Sequence, residues 1–404
     1  MKAETTFLAP EVLSTNQLSD RIDAIAPLLS RHAEEEEGSR RLSQPVMDAL
    51  RQAGLFRLFL PKSLGGFEAD PLTTAKLVEE TARCNTAAGW AMMVANTSLW
   101  WSSRLSAKGI EALCRENGPD TFVAGAFHPP MQATSADEGF RINGRSPLTS
   151  NVHEAHWIFV TAFVMENGQP KMHNGQPEIV GVFMRSKDVE IVDTWYTLGM
   201  KATDSNDISA RDVFVPPELS FPLLPEFQPN PYYTGLLYQL PAIGASIASL
   251  IAPVALAVAR NAIEELKLLA EKKVPFGSAV SIRERGVVQR KLGMAEALVQ
   301  SSRAFLFQAL TECWNKTLAG EKIALKERAG LLLAVTHTNQ TCLQAVDLMY
   351  SAAGTTGIYT KNKLAHYFTD AQVIRQHGFS NESRYETAGQ VYFGLQPDLP
   401  VIIF

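Results

Sequence analysis

Apolar residues recur at helical spacing over roughly the first quarter of the chain and then change their period. Leu18, Ile22, Ile25 and Leu29 follow a Ser-Thr-Asn start and predict an amphipathic helix. The scheme repeats after Ser43, read as a cap, with Pro45 in the first turn and Gly54 as the stop. Gly65 and Gly66 predict a turn, and Asp70-Pro71 starts a further helix. The run TAAGWAMMVANTSLWW, 86–101, is apolar on nearly every face and predicts a buried helix. EEEE at 34–37 reads as a solvated helix end.

From about Thr121 the period shortens. HWIFVTAFV, IVGVFMR and RDVFVP are short β-branched and aromatic runs between polar turns, and Asn143-Gly144 beside Phe140 and Ile142 is a hairpin-turn signal. These runs predict a small antiparallel β domain, closed by the proline-rich connector FPLLPEFQPNPYY. Long helical patterns then continue to the end and suit a four-helix bundle. The reading is mostly α with a central antiparallel β domain: an N-terminal helical domain over 1–120, a β domain over 121–228 and a helical bundle over 229–404.

Between Phe227 and Arg260 lies no Asp, Glu, Lys or Arg except at that last position, and 242–259 nearly reaches membrane-spanning length. Pro241, Pro253 and the many Ala, Gly and Ser residues make it a poor span, so it reads as the centre of a bundle or a subunit interface. A net charge of −5 over 404 residues, with 46% hydrophobic and 20% charged residues, indicates a globular chain with neither a nucleic-acid footprint nor a basic membrane face. MKAETTFLAP lacks the apolar stretch of a signal peptide. Cys84, Cys114, Cys313 and Cys342 are far apart, which argues against a disulfide framework or zinc site and for a reduced, cytoplasmic protein. His153 and His156 are too few and too poorly aligned on a strand to predict a metal site.

The chemistry is first narrowed by what is missing. G-x-G-x-x-G after a strand, the phosphate loop, H-E-x-x-H and G-x-S-x-G are all lacking. One stretch stands out instead: LGMKATDSND, 198–207, places Thr203, Asp204, Ser205, Asn206 and Asp207 side by side between apolar runs. Turn chemistry alone accounts for such residues, because their side chains bond their own backbone.

LPKSLGGFEADPL at 60–72, LGMKATDSND at 198–207, DVFVP at 212–216 and KKVPFG at 272–277, in this order across helices, β domain and helices, resemble the acyl-CoA dehydrogenase superfamily over essentially the whole chain. The polar stretch is then similar to the family's flavin-side loop, usually close to Gly-Met-Arg-Gly-Thr-Gly-Ser-x-Asp. Here Lys201, Ala202 and Asp204 stand in place of the Arg and two glycines. The family's dehydrogenases carry a glutamate base after an Arg-Asp-Ala segment. Counted from Asp370, that glutamate falls on Gly378, next to His377. A Gln-His pair in this place, with the segment 142–160, resembles the two-component flavin-dependent monooxygenases of the same fold.

That resemblance implies FMN or FAD in reduced form, dioxygen, a separate NAD(P)H-dependent flavin reductase, and an aromatic or heteroaromatic substrate of phenol or indole type oxygenated through a flavin C4a adduct. It implies Ser150 near the flavin N5 edge, flanked by Thr149, and His377 as a group titrating near neutral pH that holds the oxygen adduct or deprotonates the substrate. Phe127 and Trp157 would line the flavin, with Thr203 and Ser205 contributed by the loop. Lys273, Phe276, Gln289 and Gly354 match the positions that reach the cofactor's far end across subunits, so a homotetramer is expected. Two other readings stand beside this one: a dehydrogenase oxidising an acyl-CoA thioester, and a flavin-free scaffold.

Overall fold

The computed structural model describes residues 14–173 and 175–403; the N-terminal segment read as lacking a signal peptide lies outside the described residues. Five helices come first: α1 (Thr15–Ser39), α2 (Gln44–Gln52), α3 (Pro71–Cys84), α4 (Thr86–Trp101) and α5 (Ala107–Cys114). Their starts follow the capping chemistry of the sequence. Ser14 and Gln17 form a capping box on α1, and the Asp70 carboxylate accepts from the amides of Leu72 and Thr73 on α3. Ser43 departs from expectation: it precedes α2, but its hydroxyl donates to Glu36 at 2.6 Å instead of capping the helix. Glu36 is in turn buried and accepts from the Ser43 amide and from Asn85, so within EEEE only Glu34 and Glu35 are solvated. A carboxylate satisfied by three donors tolerates burial that an unpaired one would not.

The central sheet contains β1 (Val123–Ala136), β2 (Gly139–Thr149), β3 (Trp157–Glu166), β4 (Gln169–Pro170), β7 (Ile179–Arg185), β8 (Glu190–Val192), β9 (Asn206–Val215) and β10 (Ser220–Pro222). The strand order is β10-β7-β3-β1-β2-β9-β8, with β4 beside β3; β5 (Met172–His173) and β6 (Gln176–Pro177) pair separately. The expected antiparallel pattern holds except between β1 and β3, which run parallel. This follows from the path: β3 reverses the direction of β2 but packs on the opposite side of β1, so it runs the way β1 runs. Asn143-Gly144 is not the hairpin turn either. The β1–β2 turn falls at Asp137 and Glu138, and Gly144 sits inside β2 with φ 137°, where the register against β9 shifts. It is a bulge, the other use of a glycine that tolerates positive φ.

The C-terminal layer is α6 (Ile251–Lys272), α7 (Gly286–Leu318), α8 (Leu325–Ala353), α9 (Lys363–Ile374) and α10 (Arg384–Tyr392). The uncharged run is divided: a π-helical turn, Ile243–Ala248, precedes α6. Pro253 then lies in the first turn of α6, where its missing N–H costs nothing. Ile251 to Ala259 are buried among α3, α4 and α8, so this surface is consumed within the chain and not at a subunit interface. Among the described residues no helix is long and apolar enough to cross a membrane.

α4 joins the layers. All of its residues after Thr86 are buried, as an all-round apolar helix requires, and it touches α3, α6 and β1. Gly89 lets it approach α3, since a Cβ there would lie 2.5 Å from that of Ala82. Trp101 at its end stacks on Phe159 with ring centroids 5.8 Å apart.

Candidate active site

A cavity of about 660 Å³ opens where α4, β1, the 195–205 segment, the start of α6 and the end of α9 meet. Trp90, Met93, Trp101, Phe127 and Phe379 give it apolar, largely aromatic walls. Ser150, Thr203, Ser205 and His377 supply polar groups, and no Asp, Glu, Lys or Arg among the described residues lines it. The wall and its few convergent polar groups suit a flat heteroaromatic ligand with a polar edge.

The 198–207 stretch is partly brace and partly site. Met200 and Asp204 take left-handed φ of 53° and 50° around a short 3-10 turn over Lys201–Thr203. Asp204 holds the amide and ring Nδ1 of His153, with the ring contact at 2.8 Å, and accepts from Asn206. Asn206 accepts from the amides of Thr194 and Trp195, closing the approach to β9. These bonds turn the chain so that Thr203 and Ser205 face the cavity. There the Ser205 hydroxyl lies 2.7 Å from that of Ser150 and 2.7 Å from that of Thr203. The Trp90 indole N–H donates to Ser150 at 3.0 Å.

α9 ends in a turn that delivers His377. Its ring stands edge-on to Trp90, centroids 5.6 Å apart, and also contacts Phe379. The accessible part of the ring faces the cavity, and burial pulls its pKa down to about 4. The expected titration near neutral pH is therefore corrected: His377 is neutral at physiological pH. The Phe379 amide donates to Nδ1 at 3.3 Å, which leaves Nε2 to carry the proton. A ring in that tautomer donates a hydrogen bond and does not act as a base. Gly378 beside it brings no carboxylate to the cavity.

Phe127, Ser150, Thr203, Ser205 and His377 thus share one cavity. Thr149 lies behind Ser150, fully buried, with its hydroxyl unpartnered among the described residues. Trp157 is outside the lining, beneath the Arg185 guanidinium at 4.5 Å. Lys273, Phe276, Gln289 and Gly354 also lie outside it. Lys273 Nζ bonds the Ala353 carbonyl and Thr356 hydroxyl beside Gly354, Gln289 donates to the Arg283 carbonyl, and the Phe276 side chain is fully exposed. Sequence reading missed Trp90 and Asp370. Asp370 accepts from the Met200 amide at 2.6 Å, and Ser150 accepts from the Trp90 indole at 3.0 Å. Nothing local marks these residues, because their partners are distant in sequence. His153 and His156 serve structure, His156 Nδ1 accepting from the Phe122 amide, and no group of three or more potential ligands among the described residues is arranged to hold a metal.

Family models described as acyl-CoA dehydrogenase, N-terminal domain, and acyl-CoA dehydrogenase, C-terminal domain, match residues 22–115 and 249–382. The chain is 30% identical over 365 residues to an indole-3-acetate monooxygenase of Pseudomonas putida, covering 90% of each protein. It is 24% identical over 384 residues to the flavin-dependent monooxygenase oxygenase subunit HsaA of Rhodococcus jostii, covering 93% of this chain and 98% of that one. The fold superposes on XiaF from Streptomyces sp., solved in complex with FADH2 and glycerol, with a TM-score of 0.87 at 21% identity, over 96% of this chain and 97% of that chain. With helices, sheet and helices in the same order and a carboxylate-free aromatic cavity at their junction, the chain belongs to the acyl-CoA dehydrogenase superfamily, in its flavin-dependent monooxygenase branch.

Proposed function

We propose that this chain is the oxygenase component of a two-component system, taking reduced flavin from a separate reductase and oxygenating a planar aromatic or heteroaromatic substrate of phenol or indole type. The observation that carries the reading is the cavity wall: aromatic, with hydroxyls and an imidazole but no carboxylate among the described residues. A thioester dehydrogenase needs a base for the α-proton, and neither Gly378 nor a neutral His377 that already accepts at Nδ1 is one.

The residues present fit a flavin. The Ser150 hydroxyl, backed by those of Ser205 and Thr203, would meet a polar ring edge, while Phe127, Met93 and Trp90 would cover apolar ring surface. When bound, reduced flavin supplies the activation of dioxygen. The chain's own residues do the rest. Ser150 orients the ring edge, the aromatic wall excludes water, and His377 Nε2–H donates to a substrate heteroatom or to the oxygen being transferred. Lys273, Gly354, Gln289 and the exposed Phe276 suit the far end of a cofactor completed by a second copy of the chain, in a homotetramer.

The test measures indole or phenol product per reduced flavin oxidised in air-saturated buffer, with hydrogen peroxide as the alternative fate. Wild type couples oxidation to product. His377→Ala retains flavin binding but loses coupling by roughly five- to tenfold, the worth of one hydrogen bond, with the balance as peroxide. Unchanged coupling in the variant removes His377 from the chemistry, and no product from any phenol or indole sinks the reading.

A further inference from the structure

The three hydroxyls at the cavity form a row whose proton direction is fixed at both ends. At one end the Trp90 N–H can only donate, and it meets Ser150 Oγ at 3.0 Å. At the other end the Met200 carbonyl can only accept, and Thr203 Oγ1 lies 2.8 Å from it. Each hydroxyl has one proton. The Thr203 proton goes to Met200, so at the 2.7 Å contact between Thr203 and Ser205 the donor is Ser205. The Ser205 proton is then committed, so at its 2.7 Å contact with Ser150 the donor is Ser150. Reversing the row would leave two oxygens 2.8 Å apart, Thr203 Oγ1 and Met200 O, with no proton between them. The Met200 carbonyl does not swing away to relieve that, because it also accepts from the Trp195 indole at 3.1 Å and its amide is held by Asp370.

Ser150 therefore has a lone pair for the cavity and no proton. We infer that Trp90, Ser205, Thr203 and the Met200 carbonyl set the Ser150 hydroxyl as an acceptor toward the bound flavin, and so select the reduced over the oxidised form of the cofactor. The inference rests on the reading above, in which the N5 edge faces Ser150. A reduced isoalloxazine carries an N–H at N5, which Ser150 accepts. An oxidised one carries a lone pair there, which would meet the lone pair of Ser150. Ser205 and Thr203 are positioning residues in this scheme, acting through Ser150. The benefit falls where an oxygenase needs it: spent cofactor leaves and reduced cofactor enters.

The experiment is a pair of binding titrations on the full chain with FAD and FMN, oxidised in air and reduced under anaerobic conditions. Wild type binds the reduced form at least about tenfold more tightly, the difference between a made and an unmade buried hydrogen bond. Ser205→Ala removes the acceptor of the Ser150 proton and frees it to point into the cavity. The reduced-to-oxidised preference then shrinks by about tenfold, with tighter binding of the oxidised form, and the bound flavin's potential falls accordingly. Ser205→Cys, a weaker acceptor, moves the ratio in the same direction by less, and Ser205→Ala has no effect on the ratio in a Ser150→Ala background. Equal weakening of both redox forms by Ser205→Ala, an unchanged ratio, or an effect that survives Ser150→Ala overturns the inference while leaving the flavin reading intact. A wild-type chain that binds neither redox form of either flavin overturns both.

Discussion

Asp370 does more than its place one turn before the end of α9 suggests. It is buried, and burial together with the nearby Glu37 charge pushes its carboxyl up to about 7, while the Met200 amide bond and Lys201 pull the other way. Glu37 on α1 is also raised by burial. Because the folded-state pKa lies above the unfolded one, the Asp370 contribution to stability is fully present below the ordinary carboxylate range and is lost as pH rises toward 7. His377 has the opposite sign: pulled down to about 4, it contributes stability above its ordinary value of 6.5 that is lost as pH falls toward 4. The comparison of wild type with Asp370→Asn isolates the first term. Asn keeps an acceptor for the Met200 amide, so the variant gains on wild type as pH rises from 4 to 8, by on the order of 1–3 kcal/mol in denaturant unfolding; a difference independent of pH would place the Asp370 charge elsewhere. At this scale the sequence exposed the residues with family-shaped surroundings, Ser150 and His377. It concealed Asp370 and Trp90, whose partners Met200 and Ser150 lie 170 and 60 positions away. It also misread Glu36, since a run of four glutamates carries no trace of the Ser43 and Asn85 donors folded over one of them.

Among the elements, the tightest fit at the site is between the 198–204 loop and α9. A Cβ on Gly199 would lie 2.3 Å from the Thr369 carbonyl carbon and 2.5 Å from the Asp370 amide nitrogen, backbone that has no room to yield. Gly199→Ala therefore lifts the loop from the helix and is expected to lower stability by roughly 1–3 kcal/mol and weaken reduced-flavin binding with it. Gly293→Ala in exposed α7 meets nothing within 4 Å and is expected to stabilise by roughly 0.5–1 kcal/mol without touching binding. Equal stability for the two variants would mean the loop is not seated on α9. Periodicity and caps made the existence and order of the elements legible. They did not resolve features in which one residue does two jobs, such as Gly144, which signals a turn in sequence and forms a bulge inside β2, or the uncharged run, which reads as one helix and folds as a π-helical turn followed by α6.

At the scale of the molecule, the three-part order was legible because each part has its own period, whereas the meeting of those parts at α4 was not, since no period reports what an all-apolar helix touches. The proposed self-association belongs here too. Phe276 stands fully exposed beside the exposed Val274, in the segment that follows α6 at Lys273, whose Nζ reaches the end of α8, and a second copy of the chain would cover this apolar pair. Phe276→Asp is expected to shift the chain to smaller species in sedimentation velocity and to weaken cofactor binding without altering the cavity wall; an unchanged sedimentation coefficient would place any subunit contact on another face. Gly378, finally, carries a meaning beyond the carboxylate it lacks. A Cβ there meets nothing within 4 Å, so a longer side chain at this point of the cavity lining displaces no neighbour. The cavity lining at this position can therefore take a carboxylate without disturbing the core packed behind it.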